Sequence, residues 1–383
     1  MNTVTIQETR ERSISRVFFP VVPPPARPPA PAAGFRDRLS TSEDGARPFG
    51  ERLAALVRRR ESQIVLGLDP DPMHLWPEMA AEGLPRERLP GERLPGERPL
   101  EDELPGGGPR GGGGDPPVGS LPAVRAAQAV RAHCTALIDA AGPACVAVKP
   151  QLARFEALGA PGWAALEAVT IHAREAGLLV IADGKRGDID VSARAYAQAL
   201  IGASDTPFGS VAGLGADMLT VNPLMGSDAL EPFIFTARAS GAAVLVLVRT
   251  SNPGAADVED LEVVGGGRVW ERVAMLVDTL GADGVEGSGL SDVGAVVGAT
   301  APEHLARARE LMPHAIFLLP GVGAQGGRVE DLAPAFAPGR AGGLISASRS
   351  IADAHRASGR DPAQAARAEA ERLRELAWAL SGS

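Results

Sequence analysis

Short apolar runs alternate with amphipathic segments along most of the chain. The runs are rich in Val, Ile and Leu, which is typical of fully buried strands. The intervening segments repeat their apolar positions every three to four residues, as helices that face a core do. We predict strands over 63–68, 144–148, 178–182, 218–221, 243–248, 295–297, 315–319 and 343–345, and helices over 51–60, 123–140, 162–176, 191–200, 228–239, 269–280, 302–311, 330–336 and 362–380.

This alternation predicts an α/β protein with a parallel sheet covered by helices, and eight strands are the number that closes a (β/α)8 TIM barrel. A doubly wound sheet is the alternative. Polar residues follow the carboxyl end of each strand, and a barrel gathers these ends on one face, whereas a doubly wound sheet spreads them along a crevice. The residues that follow the strand ends are Asp69, Lys149, Asp183 with Lys185, Asn222, Ser251, Thr300, Gly321 and Arg349.

Two stretches do not follow the strand and helix pattern. Residues 1–46 are rich in Pro, Arg and Ser, which predicts a disordered leader. Residues of about 79–119 include two copies of Leu-Pro-Gly-Glu-Arg and two glycine runs, which predicts a flexible, low-complexity insertion after the first strand. A partner-binding role for the insertion is an alternative to neutral expansion. The remainder of 47–383 forms a single barrel domain in this interpretation.

Composition narrows the class of partner. A net charge of −9 without a basic block argues against nucleic acid. No apolar run approaches the roughly 20 residues that span a bilayer, so a membrane is not expected as a partner. Cys134 and Cys145 are the two cysteines and lack a metal-ligand spacing, which favours a reducing, cytoplasmic location. The six His residues are scattered, so no metal site is predicted.

Charged residues of both signs are concentrated in one stretch, where Asp183, Lys185 and Asp188 follow the third predicted strand. Asp183 and Lys185 are two positions apart, so on an extended backbone their side chains point to the same side. Alternating charges held close together can stabilise charge that develops during a reaction without a metal. The alternative is a solvated loop that carries a surface ion pair.

A glycine-rich segment follows the seventh strand, and residues 321–326 satisfy the pattern GxGxxG. A dinucleotide site would also need an acidic residue at the end of the next strand, and that strand instead runs into Ser346-Ala347-Ser348-Arg349-Ser350. Glycine-rich backbone N–H groups and an arginine at this place are typical of a barrel phosphate site, with Arg349 as the fork that binds phosphate oxygens. Alternatively, Arg349 is a surface arginine and Gln325 a turn residue.

The segment Asp183-Gly184-Lys185-Arg186-Gly187-Asp188-Ile189 resembles the DxKxxDI signature of the orotidine 5′-phosphate decarboxylase family. DxKxxD alone is shared with other decarboxylases and aldolases of the same barrel superfamily. Further segments resemble the type 2 subfamily in the same order, over about 48–78 and 119–380. They are Val148-Lys149-Pro150-Gln151, Thr220-Val221-Asn222-Pro223, Thr250-Ser251-Asn252-Pro253-Gly254, residues 320–327 and Ser348-Arg349-Ser350-Ile351.

The resemblance implies an enzyme that converts orotidine 5′-phosphate to UMP and CO2, the last step of pyrimidine synthesis, with no metal and no other cofactor. Lys185 would stabilise the electron pair left at C6 and then protonate it, while Asp183 would lie against the substrate carboxylate. Lys149 and Asp188 would complete a Lys-Asp-Lys-Asp network. Asp188 comes from the partner subunit in the family, so a homodimer is implied.

The resemblance also implies substrate contacts for residues outside the network. Ser192 replaces the threonine that is common in the family, and Leu224-Met225 replaces a more usual aromatic residue, but neither change removes a charge. The candidate substrate-binding residues are Asp69 with Lys149 for the ribose, Ser251 for the pyrimidine, Gln325, Arg349 and N–H groups around Gly323 for the phosphate, and Ser192 and Asn222.

Two other functions are compatible with parts of the pattern. A metal-dependent sugar-phosphate aldolase or decarboxylase of the same superfamily would keep Asp183, Lys185 and Asp188 but would need Mg²⁺. A non-catalytic phosphate-binding protein would use the insertion as its interaction surface. The complete set of charges favours the decarboxylase over the non-catalytic phosphate-binding protein, because a protein without catalytic activity has no need for a lysine between two carboxylates.

Overall fold

Eight parallel strands close a barrel in this computed structural model, which describes residues 47–82, 121–323 and 325–382. The barrel order is β1, β2, β3, β6, β7, β8, β9 and β10, and β10 pairs with β1. The predicted (β/α)8 barrel is therefore confirmed, and the doubly wound alternative is wrong. The strands are β1 (Ile64–Leu68), β2 (Ala147–Pro150), β3 (Leu179–Arg186), β4 (Ala203–Thr206), β5 (Gly209–Ala212), β6 (Met218–Val221), β7 (Ala243–Arg249), β8 (Val293–Val297), β9 (Phe317–Pro320) and β10 (Gly343–Ala347).

Helices cover the outside of the barrel, and most lie within a few residues of their predicted bounds. The predicted helix over 330–336 is a 3-10 helix (Val329–Phe336) that contains Pro334. The α-helices are α1 (Phe49–Arg60), α2 (Pro77–Glu82), α3 (Leu121–Ala141), α4 (Leu152–Glu156), α5 (Gly159–Glu175), α6 (Asp190–Ile201), α7 (Ser227–Ser240), α8 (Val269–Gly281), α9 (Pro302–Leu311), α10 (Arg349–Ala352), α11 (Ala354–Ser358) and α12 (Pro362–Leu380).

Helix α1 closes the end of the barrel where the strands begin. Its Phe49 and Leu53 are buried in the same cluster as interior strand residues such as Val65 and Leu245. Arg52 fixes this position, because its guanidinium donates to Asp217 Oδ1 and to Gly241 O, both at 2.7 Å, just before β6 and β7. The opposite end of the barrel, where the strands terminate, is thus left for functional side chains.

Strands β4 and β5 form an antiparallel hairpin outside the barrel, which the sequence analysis did not predict. Both strands carry polar or exposed residues, so they lack the apolar run that marked the others. Phe208 at the turn is 99% exposed. Polar hairpins of this kind give only a weak pattern in a single sequence.

The predicted leader, 1–46, lies outside the described residues. So does the predicted insertion, except for 79–82, which belong to α2. No helix within the described ranges is long and apolar enough to cross a membrane. Cys134 and Cys145 are both free and buried, and burial raises the pKa of the Cys145 thiol to about 12.

Candidate active site

A buried carboxylate lies between two ammonium groups where β2 and β3 end. Asp183 is 5% exposed, and its Oδ2 lies 2.7 Å from Lys149 Nζ. Its Oδ1 lies 2.6 Å from Lys185 Nζ. Lys149 is itself 6% exposed, whereas the side chain of Lys185 is 45% exposed. The structure therefore brings three of the four predicted catalytic residues into direct contact at the open end of the barrel.

The two buried charges stabilise each other. Burial alone would raise the pKa of Asp183, but Lys149 and Lys185 together lower it to about 2. Burial alone would lower the pKa of Lys149, but the carboxylates of Asp183 and Asp69 outweigh this effect and raise it. Asp183 is consequently an anion and Lys149 a cation at neutral pH.

Two uncharged side chains complete the surroundings of Asp183, and sequence reasoning assigned neither of them a role. Thr220 Oγ1 donates to Asp183 Oδ1 at 2.9 Å, and Gln151 Nε2 donates to Oδ2 at 3.3 Å. Each carboxylate oxygen thus accepts from one ammonium group and one neutral donor. Both residues occur in the segments Val148 to Gln151 and Thr220 to Pro223, and their position directly beside predicted site residues was the available signal.

The backbone at Lys185 is not extended, so the geometric reason given for its placement beside Asp183 is wrong. Lys185 has φ +47°, a left-handed conformation, and the register between β3 and β6 shifts between Ala182 and Arg186. Lys185 reaches Asp183 because the strand bulges here. Single-sequence periodicity cannot reveal a bulge, since it depends on pairing with a distant strand.

Asp69 lies at the edge of the charged group formed by Lys149, Asp183 and Lys185, and Asp188 lies two residues after the end of β3. Asp69 Oδ1 is 3.8 Å from Lys149 Nζ, so Asp69 belongs to the same charged group. Asp188 is half-buried, and its Oδ1 accepts from the N–H of Ile189 at 2.8 Å. Within the described part of the chain, no ion pair joins Asp188 to Lys149 or Lys185.

The loop after β7 holds Ser251 close to the end of β8. Thr300 Oγ1 donates to the carbonyl of Ser251 at 3.2 Å. A Cβ at Gly298 would come within 2.8 Å of the Ser251 Cα, so this close approach depends on glycine. The start of the loop is anchored by Arg249, which forms two hydrogen bonds of 3.0 and 2.9 Å with the carboxylate of Asp260.

The glycine-rich loop after β9 folds back on itself. Gly327 N donates to Gly321 O at 3.0 Å, and Gly323 N donates to Gly327 O at 2.9 Å. The N–H of Gly323 itself is therefore engaged within the loop. Gln325 is exposed and its side chain lies over Gly321. Arg349 is exposed as the first residue of α10.

The remaining two candidates are Ser192 and Asn222. Ser192 is exposed in the first turn of α6. Asn222 Oδ1 accepts from the N–H of Leu224 at 3.0 Å, so its oxygen stabilises the turn after β6. In the described structure, neither side chain contacts the group formed by Lys149, Asp183 and Lys185.

Comparison with known proteins relates this arrangement to a family. The family model described as orotidine 5′-phosphate decarboxylase / HUMPS family matches residues 123–368. The chain belongs to this family. The matched residues include Lys149, Asp183 and Lys185, so the ion-paired group described above lies within the decarboxylase family segment.

Individual members of the decarboxylase family give the same result. An orotidine 5′-phosphate decarboxylase of Deinococcus radiodurans is 48% identical over 238 residues, covering 62% of this chain and 81% of the relative. One of Rhodopirellula baltica is 44% identical over 233 residues, covering 60% of this chain and 75% of the relative. The solved structure of Leishmania donovani OMP decarboxylase is 30% identical, with a TM-score of 0.59, and covers 88% of this chain and all of that chain.

Proposed function

We propose that this chain removes CO2 from orotidine 5′-phosphate to give UMP, with Lys185, Asp183, Lys149 and Asp188 as its catalytic residues. The observation that carries the proposal is the carboxylate of Asp183 held between two ammonium groups at the open end of a decarboxylase-family barrel. The named relatives are orotidine 5′-phosphate decarboxylases, and no relative described above is a sugar-phosphate aldolase.

The chemistry needs a cation beside C6. When the bond from C6 to the carboxylate carbon breaks, CO2 leaves and the electron pair remains on C6. The Lys185 ammonium stabilises this pair and then transfers a proton from Nζ to C6, which gives UMP. Because the Lys185 side chain is 45% exposed, its neutral amine can take up a proton from water for the next turnover.

The use of lysine at these two positions supports a proton-donor role. Lys149 and Lys185 are the two lysines of the chain, and the rest of its 38 Lys and Arg residues are arginine. Arginine carries the same charge but does not release its proton in proteins, whereas a lysine ammonium can. A chain that uses arginine everywhere else therefore places lysine where proton transfer and a compact charge are needed.

Asp183 acts on the reactant through its negative charge. Its pKa of about 2 means that it remains ionised when the substrate carboxylate approaches. Two carboxylates held close together disfavour the bound reactant more than the transition state, in which the substrate charge moves away from the departing carboxylate carbon. Lys149 keeps Asp183 charged and fixed in place.

Substrate binding is distributed over the loops that surround the cluster. We assign the ribose hydroxyls to Asp69 and Lys149, and the amide edge of the pyrimidine to Ser251. The phosphate is assigned to Arg349, Gln325 and N–H groups of the glycine loop around Gly323, with Ser192 and Asn222 as further contacts. The support is their position after the strand ends, where barrel enzymes bind substrates.

A homodimer would supply the fourth charge. Asp188 makes no ion pair with Lys149 or Lys185 within the described part of its own chain, and the apolar residues that follow it closely in the sequence, Ile189 and Val191, are exposed. Such residues beside a charged site are suited to contact with a second subunit. We propose that Asp188 enters the site of its partner.

Two further proposals concern the location of the protein and its domain organisation. The cytoplasm is the expected location, which the two free, buried cysteines support. The division into a leader, 1–46, and one barrel domain, 47–383, with an insertion at about 79–119, also remains a proposal.

The test is loss of the ultraviolet absorbance of orotidine 5′-phosphate on adding the purified, EDTA-treated protein. We expect turnover to continue in EDTA, with UMP as the product. Absence of turnover, or turnover that returns only when Mg²⁺ is added, would contradict the cofactor-free decarboxylase and favour the metal-dependent alternative.

A further inference from the structure

We propose that Thr220 is a positioning residue for Lys185, and that its hydroxyl group sets the position of the Lys185 ammonium. The inference rests on the proposed function, in which Lys185 protonates C6. Thr220 Oγ1 accepts a hydrogen bond from the backbone N–H of Lys185 at 2.9 Å and donates one to Asp183 Oδ1 at 2.9 Å. The Thr220 oxygen thus connects the backbone of Lys185 to the carboxylate of Asp183, which the Lys185 side chain contacts.

Thr220 lies opposite a bulge in β3. Ala182 pairs with Leu219 and Arg186 pairs with Val221, so residues 183–185 of β3 lie opposite Thr220 alone in β6. A bulge leaves backbone groups without their partners in the strand ladder. The N–H of Lys185 is one of these groups, and the Thr220 side chain takes the place of the missing backbone acceptor.

The bulge also explains why Lys185 needs support. With φ +47°, it has a left-handed conformation that residues other than glycine rarely adopt. Such conformations persist where the surrounding structure holds them, and they are concentrated at functional sites. The hydrogen bond that the Lys185 N–H donates to Thr220 Oγ1 holds this backbone, which directs the Lys185 side chain back towards Asp183 instead of along the strand.

A hydroxyl group is well suited to this position. It can accept from an N–H and donate to a carboxylate at the same time, whereas a carboxylate only accepts and an ammonium only donates. Thr220 is 1% exposed, so water does not readily replace it. The second substituent on its Cβ restricts the rotation of the side chain and keeps the oxygen in place.

Four variants separate the hydroxyl from the shape of the side chain. Thr220→Val keeps the shape and removes the hydroxyl, whereas Thr220→Ser keeps the hydroxyl and removes a methyl group. Thr220→Ala and Thr220→Ser differ in the hydroxyl alone, which provides a second comparison if Thr220→Val does not fold. Lys185→Arg is a reference that lacks the proposed proton donor.

We expect Thr220→Val to lower kcat roughly 10- to 100-fold, which corresponds to the loss of a hydrogen bond to a charged group. Its KM should change less than about threefold, because Thr220 contacts the catalytic group and not the proposed binding loops. Thr220→Ser should retain kcat within about threefold of the wild type, and Thr220→Ala should resemble Thr220→Val. Thermal unfolding confirms which variants are folded.

The order of the variants decides the inference. A packing role predicts the opposite order, with Thr220→Val active and Thr220→Ser impaired, because the valine fills the space. That order, or equal kcat for Thr220→Ala and Thr220→Ser, would overturn the positioning role. If the wild-type protein fails to decarboxylate orotidine 5′-phosphate, the proposed function itself is wrong. If the wild type is active and the valine and alanine variants are equally active, only the positioning role of Thr220 is wrong.

Discussion

Lys149 and Asp183 form an ion pair inside the end of the barrel, with 2.7 Å between Nζ and Oδ2. Both residues are almost fully buried, and an isolated charge at either position would be strongly disfavoured. Each residue therefore depends on the other for its ionisation. The site carries its charges before a substrate arrives, so little reorganisation is needed when charge develops during the reaction.

Asp183→Asn should uncouple this pair. Without the carboxylate, burial lowers the pKa of Lys149 and only Asp69 opposes the effect, so the pKa should fall relative to that in the wild type. Turnover should fall by at least roughly 100-fold, as for the loss of a preorganised charged group. NMR with ¹³C-labelled lysine can follow the titration, because Lys149 and Lys185 give the two lysine signals of the protein. An unchanged Lys149 titration would contradict the dependence of one charge on the other.

Lys185→Ala should abolish turnover without unfolding the protein. Its side chain is nearly half exposed, so truncation removes little packing, whereas the reaction loses both the cation and the proton donor. We expect a loss of more than roughly 1,000-fold in kcat. The matched control is Lys185→Arg, which keeps the charge but cannot donate the proton and should also be inactive. An unfolded alanine variant, or near-normal turnover by either variant, would count against the assignment.

Mixing two inactive variants tests whether Asp188 acts in the partner subunit. Asp188→Asn and Lys185→Ala should each be inactive alone. In a mixed dimer, one of the two sites would contain both Lys185 and Asp188, so an equal mixture should recover about a quarter of the wild-type turnover. Co-expression of the two variants, followed by the absorbance assay, measures this. No recovery in a demonstrated mixed dimer would mean that Asp188 acts in its own chain or not at all.

The fold could be predicted from the sequence because local patterns of apolar and polar residues mark the strands and helices of the barrel. β6 (Met218–Val221), α9 (Pro302–Leu311) and α12 (Pro362–Leu380) have the predicted bounds, since apolar periodicity and flanking Pro or Gly define them. The hairpin of β4 and β5 was missed because its residues are polar or exposed and therefore have no such pattern.

The grouping of Lys149, Asp183 and Lys185 could also be predicted from the sequence, because the strand ends of a barrel converge on one face however the strands pair in detail. The placement of Thr220 and Gln151 beside Asp183 could not be predicted from the sequence. Their contacts with Asp183 depend on the bulge in β3 and on its register with the neighbouring strands, which are long-range properties. The same cause made the extended backbone predicted for Lys185 wrong.

Arg349→Ala should weaken substrate binding more than it slows chemistry. Arg349 lies exposed at the start of α10, away from the contacts that hold Asp183. Loss of one charged hydrogen-bonding partner of a phosphate should raise KM roughly 10- to 100-fold. Arg360→Ala is the matched control, since Arg360 is exposed and its side chain belongs to no proposed contact. Equal KM values for the two variants would remove Arg349 from the phosphate site.

His133 should make the protein less stable in mild acid. It is 5% exposed, and its Nδ1 accepts from the N–H of Trp76 at 3.2 Å, which requires an unprotonated nitrogen. Burial is the main cause that lowers its pKa from 6.5 to about 4. Asp353 opposes this shift, and His355 adds a smaller contribution to it. The unfolded chain therefore binds more protons than the folded chain between these two values, and the free energy of unfolding falls as the pH drops from about 6.5 to about 4.

The full effect of this shift is about 3 kcal/mol, an upper figure for a single histidine. His133→Asn tests it, because the asparagine oxygen can accept from the Trp76 N–H but does not titrate. Urea unfolding at pH 7 and at pH 4.5 should show a smaller loss of stability for the variant than for the wild type. Equal losses would mean that groups other than His133 cause the acid sensitivity. The Asp183 carboxyl is not expected to be one of them, because it titrates at lower pH, near its pKa of about 2.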